Sequence, residues 1–139
     1  MMRSRLLATL CLLLLCATVA SAQSSTTDPL ASLRSARLIY VDSSSLLVGR
    51  SVIEEKLQQR REFAQLGLAI TRDVNQADLI LELHHDLFTK YVYTAIDRRS
   101  KIIVASGKLS SLGGTVAGKV AKRFLKQVMK ARATAPATK

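Results

Sequence analysis

Residues 79–87 alternate between two kinds of side chain, and this alternation constrains the fold more than any other pattern in the sequence. The odd positions carry four leucines and His85, whereas Glu82, His84 and Asp86 fall at even positions. A period of two matches a β-strand, whose successive side chains point to opposite faces of a sheet. The pattern therefore predicts a strand with one apolar face, His85 at the edge of a core, and a second, mixed face.

Other segments continue this sheet. Residues 37–42 are rich in β-branched and aromatic side chains, which predicts a strand, and 68–71 predict a second, short one. Further strands are predicted at 91–97 and at 101–109, where Ile102, Ile103 and Val104 form the centre. Asp97 to Ser100 has the composition of the hairpin turn that would join these last two strands.

Two helices are predicted. For the first, Ser51 and Glu54 have the spacing of a capping box, and Gly67 suits the residue after a helix end, so we expect one helix over 51–66. The last helix follows Gly113 and Gly114. Its apolar residues recur every four positions opposite a cationic side, as expected for a helix with one buried face. The apolar stripe contains Val116, Val120, Phe124 and Val128, and the cationic side contains Lys119, Lys122, Arg123, Lys126 and Lys130.

The predicted element order is β-α-β-β-β-β-α. This order belongs to the α+β class, and we expect a mostly antiparallel sheet with two helices packed on one face. The first β-α-β step should be a right-handed crossover, as parallel connections almost always are.

The amino terminus has the features of a secretory signal peptide over residues 1–22. Arg3 and Arg5 precede an apolar run over 6–20, and small residues lead to a predicted cleavage between Ala22 and Gln23. The protein is therefore expected to be exported, to a periplasmic or secreted location. The alternative is an anchor that stays uncleaved, although the apolar run is shorter than the roughly 20 residues that span a bilayer.

Cleavage would leave a chain without cysteine, because Cys11 and Cys16 both lie in the signal segment. Such a chain has no disulfide and no thiolate site, so its fold must depend on packing. We expect a flexible leader over 23–33, one α+β domain over 34–132 and a disordered tail over 133–139.

Positive charge is concentrated in the carboxy-terminal part of the chain. The full sequence has a net charge of +11, and eleven basic residues but no acidic residue follow Asp97. A field of this kind attracts anionic partners, unless the cations only solvate the surface. The candidate binding residues are Arg98, Arg99, Lys101, Lys119, Lys122, Arg123, Lys126 and Lys130.

Other patterns indicate chemistry less directly. Glu82, His84 and Asp86 share a strand face, but neighbours on one strand diverge, so a metal would need a further ligand. Ser43 to Ser45 offer hydroxyls without a nucleophile-elbow pattern. Residues 113–119 fit GxxxxGK, but Val120 stands where a phosphate-binding loop needs Ser or Thr. Tyr91 and Tyr93 lack an RNP-type context, so nucleic acid is not favoured as a partner.

Several stretches carry a resemblance. The segments ARLIYVDS, RREFAQLGLAI, ADLILELH and VASGK, followed by an alanine-rich basic helix, resemble a group of uncharacterised exported bacterial proteins. The ADLILEL strand and its hairpins are also similar in architecture to small α+β modules of envelope proteins, such as the amino-terminal domain of TolB. This resemblance implies a binding or assembly role in the cell envelope and brings no catalytic motif.

The sequence thus predicts a non-enzymatic exported binding or assembly module of the bacterial envelope, without a cofactor. Its partner would be an envelope protein, an anionic polymer or a lipid surface, and its oligomeric state stays open. Two alternatives remain. One is a small metal-dependent or hydrolytic enzyme that uses the Glu82, His84 and Asp86 face. The other is a membrane-surface protein that binds through its basic carboxy-terminal helix.

Overall fold

The computed structural model describes residues 28–86, 89–110 and 115–134. The predicted signal peptide with its cleavage point, Leu87, Gly113, Gly114 and residues 135–139 of the predicted tail lie outside these ranges.

Five strands form one sheet. Its strand order is β2-β1-β3-β4-β5, so β2 and β5 are the two edges. β1 runs parallel to both of its neighbours, whereas β3, β4 and β5 form an antiparallel meander with longer ladders. The sheet is therefore mostly antiparallel. The strands are β1 (Leu38–Ser43), β2 (Ala69–Ile70), β3 (Leu79–His85), β4 (Lys90–Asp97) and β5 (Ile103–Ser110).

Four helices accompany the sheet in the described part of the chain. They are α1 (Pro29–Ser35), α2 (Arg50–Gln58), α3 (Arg61–Gln65) and α4 (Val116–Ala133). The apolar stripe of α4 packs with the alternate residues of β1, β3 and β4 that point to the same face of the sheet. This arrangement confirms the predicted α+β class with helices packed against a mostly antiparallel sheet, although two helices were expected and the described residues contain four.

The alternation in β3 follows the prediction at its leucines. Leu79, Leu81 and Leu83 are buried in the core, but His85 is exposed, so its expected place at the core edge is wrong. The strand ends at this residue, and the imidazole ring lies 4.7 Å from the ring of Tyr91, which is its partner on β4.

The single helix predicted over 51–66 is also wrong. Arg60 has an extended backbone, with φ −88° and ψ 130°, and separates α2 from α3. Between Leu57 and Phe63 the sequence has only polar residues, so no apolar side chain holds a continuous helix against the core. The break turns Phe63 inward and leaves Ala64 exposed, although the predicted stripe required Ala64 to be buried.

The predicted capping box at Ser51 is wrong as well. The N-cap of α2 is Gly49, which makes no side-chain cap hydrogen bond, and Ser51 lies inside the helix. Glu54 does not reach back to the helix start. It is buried, and its Oε2 atom lies 3.9 Å from Nη2 of Arg72. At the other end of this region the prediction for Gly67 is confirmed, because its φ is +59°.

The flexible leader predicted over 23–33 does not hold for residues 29–33, which are part of α1. Asp28 is the N-cap, and its Oδ1 accepts a hydrogen bond of 3.0 Å from the Leu30 amide. Proline suits the first helical position because its fixed φ is already helical and its missing N–H is not needed there. Leu33 then docks into the core with 1 % of its surface exposed.

Candidate anion-binding surface

Helix α4 separates two kinds of side chain onto opposite faces. Its apolar residues are buried in the core, as predicted, while Met129 beside them is partly exposed. The other face carries the exposed cations Lys119, Lys122, Arg123, Lys126 and Lys130. Since the helix has 3.6 residues per turn, this spacing places the cations along one side of its length.

Arg98, Arg99 and Lys101 lie elsewhere, at the hairpin turn between β4 and β5. Arg98 is half-buried, and its Nε donates a hydrogen bond of 2.7 Å to the Ala77 carbonyl, which ties the turn to the loop before β3. Arg99 lines a cleft of about 780 Å³ together with the carboxylates of Asp78 and Asp97. Arg98 and Arg99 are therefore engaged with the fold and with acidic neighbours.

Asp97 organises the turn, which the sequence predicted at residues 97–100. Its Oδ1 accepts a hydrogen bond of 2.7 Å from the Ser100 amide and a second one of 3.0 Å from the Ser100 hydroxyl. Burial raises the pKa of the carboxyl, but hydrogen bonds from Ser100, Ser32 and Arg99 outweigh it, so the pKa lies below its ordinary value. The charged form therefore holds the turn.

A groove of about 290 Å³ lies between α4 and the edge strand β5. Two side chains of α4 reach across to this strand. Arg123 Nη1 donates to the Lys108 carbonyl at 2.5 Å, and Gln127 Nε2 donates to the Ser106 carbonyl at 2.9 Å. The lining consists of Tyr93, Ser106, Gly107, Arg123, Lys126, Gln127 and Lys130.

Gly107 leaves space for the ring of Tyr93, which forms the floor of the groove. A Cβ atom added at this position would lie 2.6 Å from Cε1 of Tyr93, so the ring occupies the place of a side chain. Tyr93 is 1 % exposed, and its hydroxyl donates to Gln127 Oε1 at 3.1 Å. Burial raises the pKa of Tyr93, while the positive charge of Arg123 acts in the opposite direction.

Sequence reasoning named Arg123, Lys126 and Lys130 as candidates but missed the other half of the groove. The sequence marks Tyr93 only as an aromatic residue without an RNP-type context, and it predicts no role for Gln127 or Gly107. An isolated glycine inside a predicted strand was the available signal, because it often marks close approach of another group.

The mixed face of β3 brings two of its three predicted residues together. His84 Nε2 lies 3.1 Å from Glu82 Oε2, and His84 Nδ1 lies 2.9 Å from the Ser44 hydroxyl. Asp86 does not join this chain of contacts, and its backbone amide bonds to the Lys90 carbonyl. Within residues 28–86, 89–110 and 115–134, no three His, Cys, Asp or Glu side chains converge to hold a metal ion.

The residues of the GxxxxGK match that the structure describes do not form a phosphate-binding loop. Gly118 and Lys119 lie within α4, and the Gly118 carbonyl accepts a hydrogen bond of 3.4 Å from Arg60 Nη2. Gly113 and Gly114, at the start of the match, are outside the described residues. A phosphate-binding loop holds its anion with backbone N–H groups and needs a Ser or Thr hydroxyl for magnesium, and Val120, which is buried in the core, occupies that position.

Comparisons with known proteins add little to this geometry. No protein-family model matches the chain, and no curated protein matches it. Among solved structures, the chain is similar to a PelC dodecamer from Paraburkholderia phytofirmans, with 13 % identity over 71 % of this chain and 90 % of that chain. The TM-score is 0.36, which supports no conclusion about fold or function.

Proposed function

We propose that this chain is a non-enzymatic, exported binding or assembly module of the bacterial cell envelope that binds anionic partners through α4. The observation that supports this most is the row of exposed cations on α4, in a part of the sequence where no acidic residue follows Asp97. Acidic side chains close in sequence would neutralise these cations. Since none follows Asp97, the positive electrostatic field of the row is directed at solvent.

The burial of the apolar stripe favours a polymer or protein partner over a bilayer. Val116, Val120 and Phe124 are 0 % exposed, so they cannot enter lipid while the core stays intact. The described residues also contain no helix that is long and apolar enough to cross a membrane. A lipid surface would therefore meet only the lysine head groups, where each cation contributes about 1 kcal/mol.

Co-sedimentation of the purified protein with insoluble polymers tests this function. We expect retention on an acidic polysaccharide at low salt, release at high salt, and no retention on a neutral polysaccharide of the same size. Lack of retention on acidic polysaccharide, anionic vesicles and envelope extract alike at low salt would refute the proposal.

A second candidate is a hydrolase that uses the Ser44, His84 and Glu82 contacts. The hydroxyl, imidazole and carboxylate lie in the order of a nucleophile, a base and an orienting acid. Against this reading, the side chain of His84 is 54 % exposed and that of Glu82 is 29 % exposed, so water surrounds groups that catalysis usually shields. Labelling of Ser44 by a fluorophosphonate, lost in Ser44→Ala, would support the enzyme; absence of labelling would exclude a reactive serine here.

A further inference from the structure

The edge of β5 that faces α4 carries backbone carbonyls that α4 side chains bind. Among the described strands β5 pairs with β4 alone, so one of its sides faces away from the sheet. The Ser106 and Lys108 carbonyls on that side are already bound by Gln127 and Arg123. Both of these α4 side chains act as donors, so the acceptors of the strand edge are occupied.

The amides of the same two residues point in the same direction. In an antiparallel ladder, opposing residues alternate between pairs that exchange both hydrogen bonds and pairs that exchange neither. Ser106 lies opposite Thr94, and Lys108 lies opposite Val92. Since the carbonyls of Ser106 and Lys108 face α4, their N–H groups face α4 as well and lie outside the ladder, and Ser106 of the two lines the groove.

Cations stand at the rim of this donor edge. Lys126 and Lys130 are exposed and line the groove, and Arg123 contributes a guanidinium to the same wall. Between these groups the Tyr93 ring occupies the place that a side chain at Gly107 would take. Backbone N–H groups beside positive charge bind anionic oxygen, because hydrogen bonds to an ionised acceptor are about twice as strong as neutral ones.

We infer that this groove binds the carboxylate groups of an acidic polysaccharide, an inference that rests on the proposed function and names its ligand class. A peptide strand would need free carbonyls as well as free amides on β5, and the carbonyls are occupied. A flat bilayer would meet the lysines but not the recessed strand edge. A chain of acidic sugars inserts one carboxylate into a groove of about 290 Å³, which is near the lower limit for ligand pockets.

The sharpest test compares two lysines on α4. Lys122 and Lys126 are both exposed and lie one helical turn apart, but only Lys126 lines the groove. Binding of fluorescent oligogalacturonate is measured by anisotropy for wild type, Lys126→Gln and Lys122→Gln. We expect Lys126→Gln to lose about fivefold in affinity and Lys122→Gln to lose less than about twofold.

A second variant removes an amide without changing charge. Ser106→Pro deletes the N–H that faces the groove, and proline is tolerated on an edge strand where that N–H is not part of the ladder. We expect an unchanged melting temperature and a loss in affinity on the order of tenfold. A variant that keeps the wild-type melting temperature and binds as tightly as wild type would overturn the inference, because the Ser106 amide would then make no contact with the ligand.

Other outcomes separate the inference from the function on which it rests. Equal losses for Lys122→Gln and Lys126→Gln would leave a general basic surface and would refute the groove. Binding to anionic vesicles but not to oligogalacturonate would refute the ligand class and identify a lipid surface as the partner. Failure of wild type to bind any polyanion would remove the proposed function and the inference together.

Discussion

At the scale of single residues, two glycines in regular elements have opposite surroundings. A Cβ atom at Gly107 would meet Tyr93 at 2.6 Å, whereas a Cβ atom at Gly118 would meet nothing within 4 Å. Gly107→Ala should therefore destabilise the protein by about 1–3 kcal/mol, because the buried ring has little room to move. Gly118→Ala should stabilise it by about 1 kcal/mol, since alanine is the better helix former.

Urea unfolding of the two glycine variants measures both effects on one scale. The change in unfolding free energy should be negative for Gly107→Ala and positive for Gly118→Ala. A Gly107→Ala variant as stable as wild type would show that the Tyr93 ring does not fill the space beside β5.

Tyr93 gives the stability a dependence on alkaline pH. Burial raises its folded-state pKa above the ordinary 10.0, so the folded protein holds this proton more tightly than the unfolded chain does. The resulting stabilisation is complete below pH 10 and is lost as the pH rises through the folded-state pKa. Tyr93→Phe removes this group, and the decline of its unfolding free energy above pH 10 should be shallower. An identical decline in wild type and variant would contradict the assignment.

The sequence anticipated Gly67 but not Gly107, and the reason is physical. A positive φ after a helix is a local property, which the residue type reveals. Contact between Gly107 and Tyr93 depends on the register of β4 against β5, and register is set by tertiary packing. The same limit applies to Ser44, which follows β1 and contacts His84 of β3, because these two strands are adjacent only in the fold.

At the scale of elements, α1 is part of the fold and not an appendage. Leu33 is 1 % exposed and belongs to the main core cluster. Leu33→Ala should lower the unfolding free energy by about 2–5 kcal/mol, the usual cost of a cavity at a buried leucine. Leu30, which is 43 % exposed on the same helix, provides the control, and Leu30→Ala should change stability by less than about 1 kcal/mol. Equal effects of both variants in thermal unfolding would show that α1 does not dock as described.

Long periodic elements were predictable, whereas their ends and interruptions were not. Alternation identified β3, and four-residue spacing identified α4, because each pattern extends over several residues. The break at Arg60 depends on how Phe63 packs into the core, and the local sequence does not determine that packing. The start of α1 was missed because Asp28 and Pro29 are typical of both turns and helix starts.

At the scale of the whole molecule, charge and core occupy opposite sides of α4. The apolar stripe closes the sheet, so the helix is positioned by the core and its cations are held in fixed places. Composition and helical spacing predicted the cationic row. The groove beside it needed the three-dimensional arrangement of β4, β5 and α4.

The dependence of binding on salt tests the central claim most directly, namely that the α4 cations recognise a polyanion. The dissociation constant for oligogalacturonate is measured over a series of salt concentrations for wild type and for the variant with Lys122, Lys126 and Lys130 changed to Gln. Screening should weaken wild-type binding steeply as the Debye length falls from about 10 Å at 0.1 M to about 3 Å at 1 M. We predict a marked loss of affinity and a much flatter salt dependence for the triple variant. Equal affinities and equal slopes for the two proteins would contradict the account.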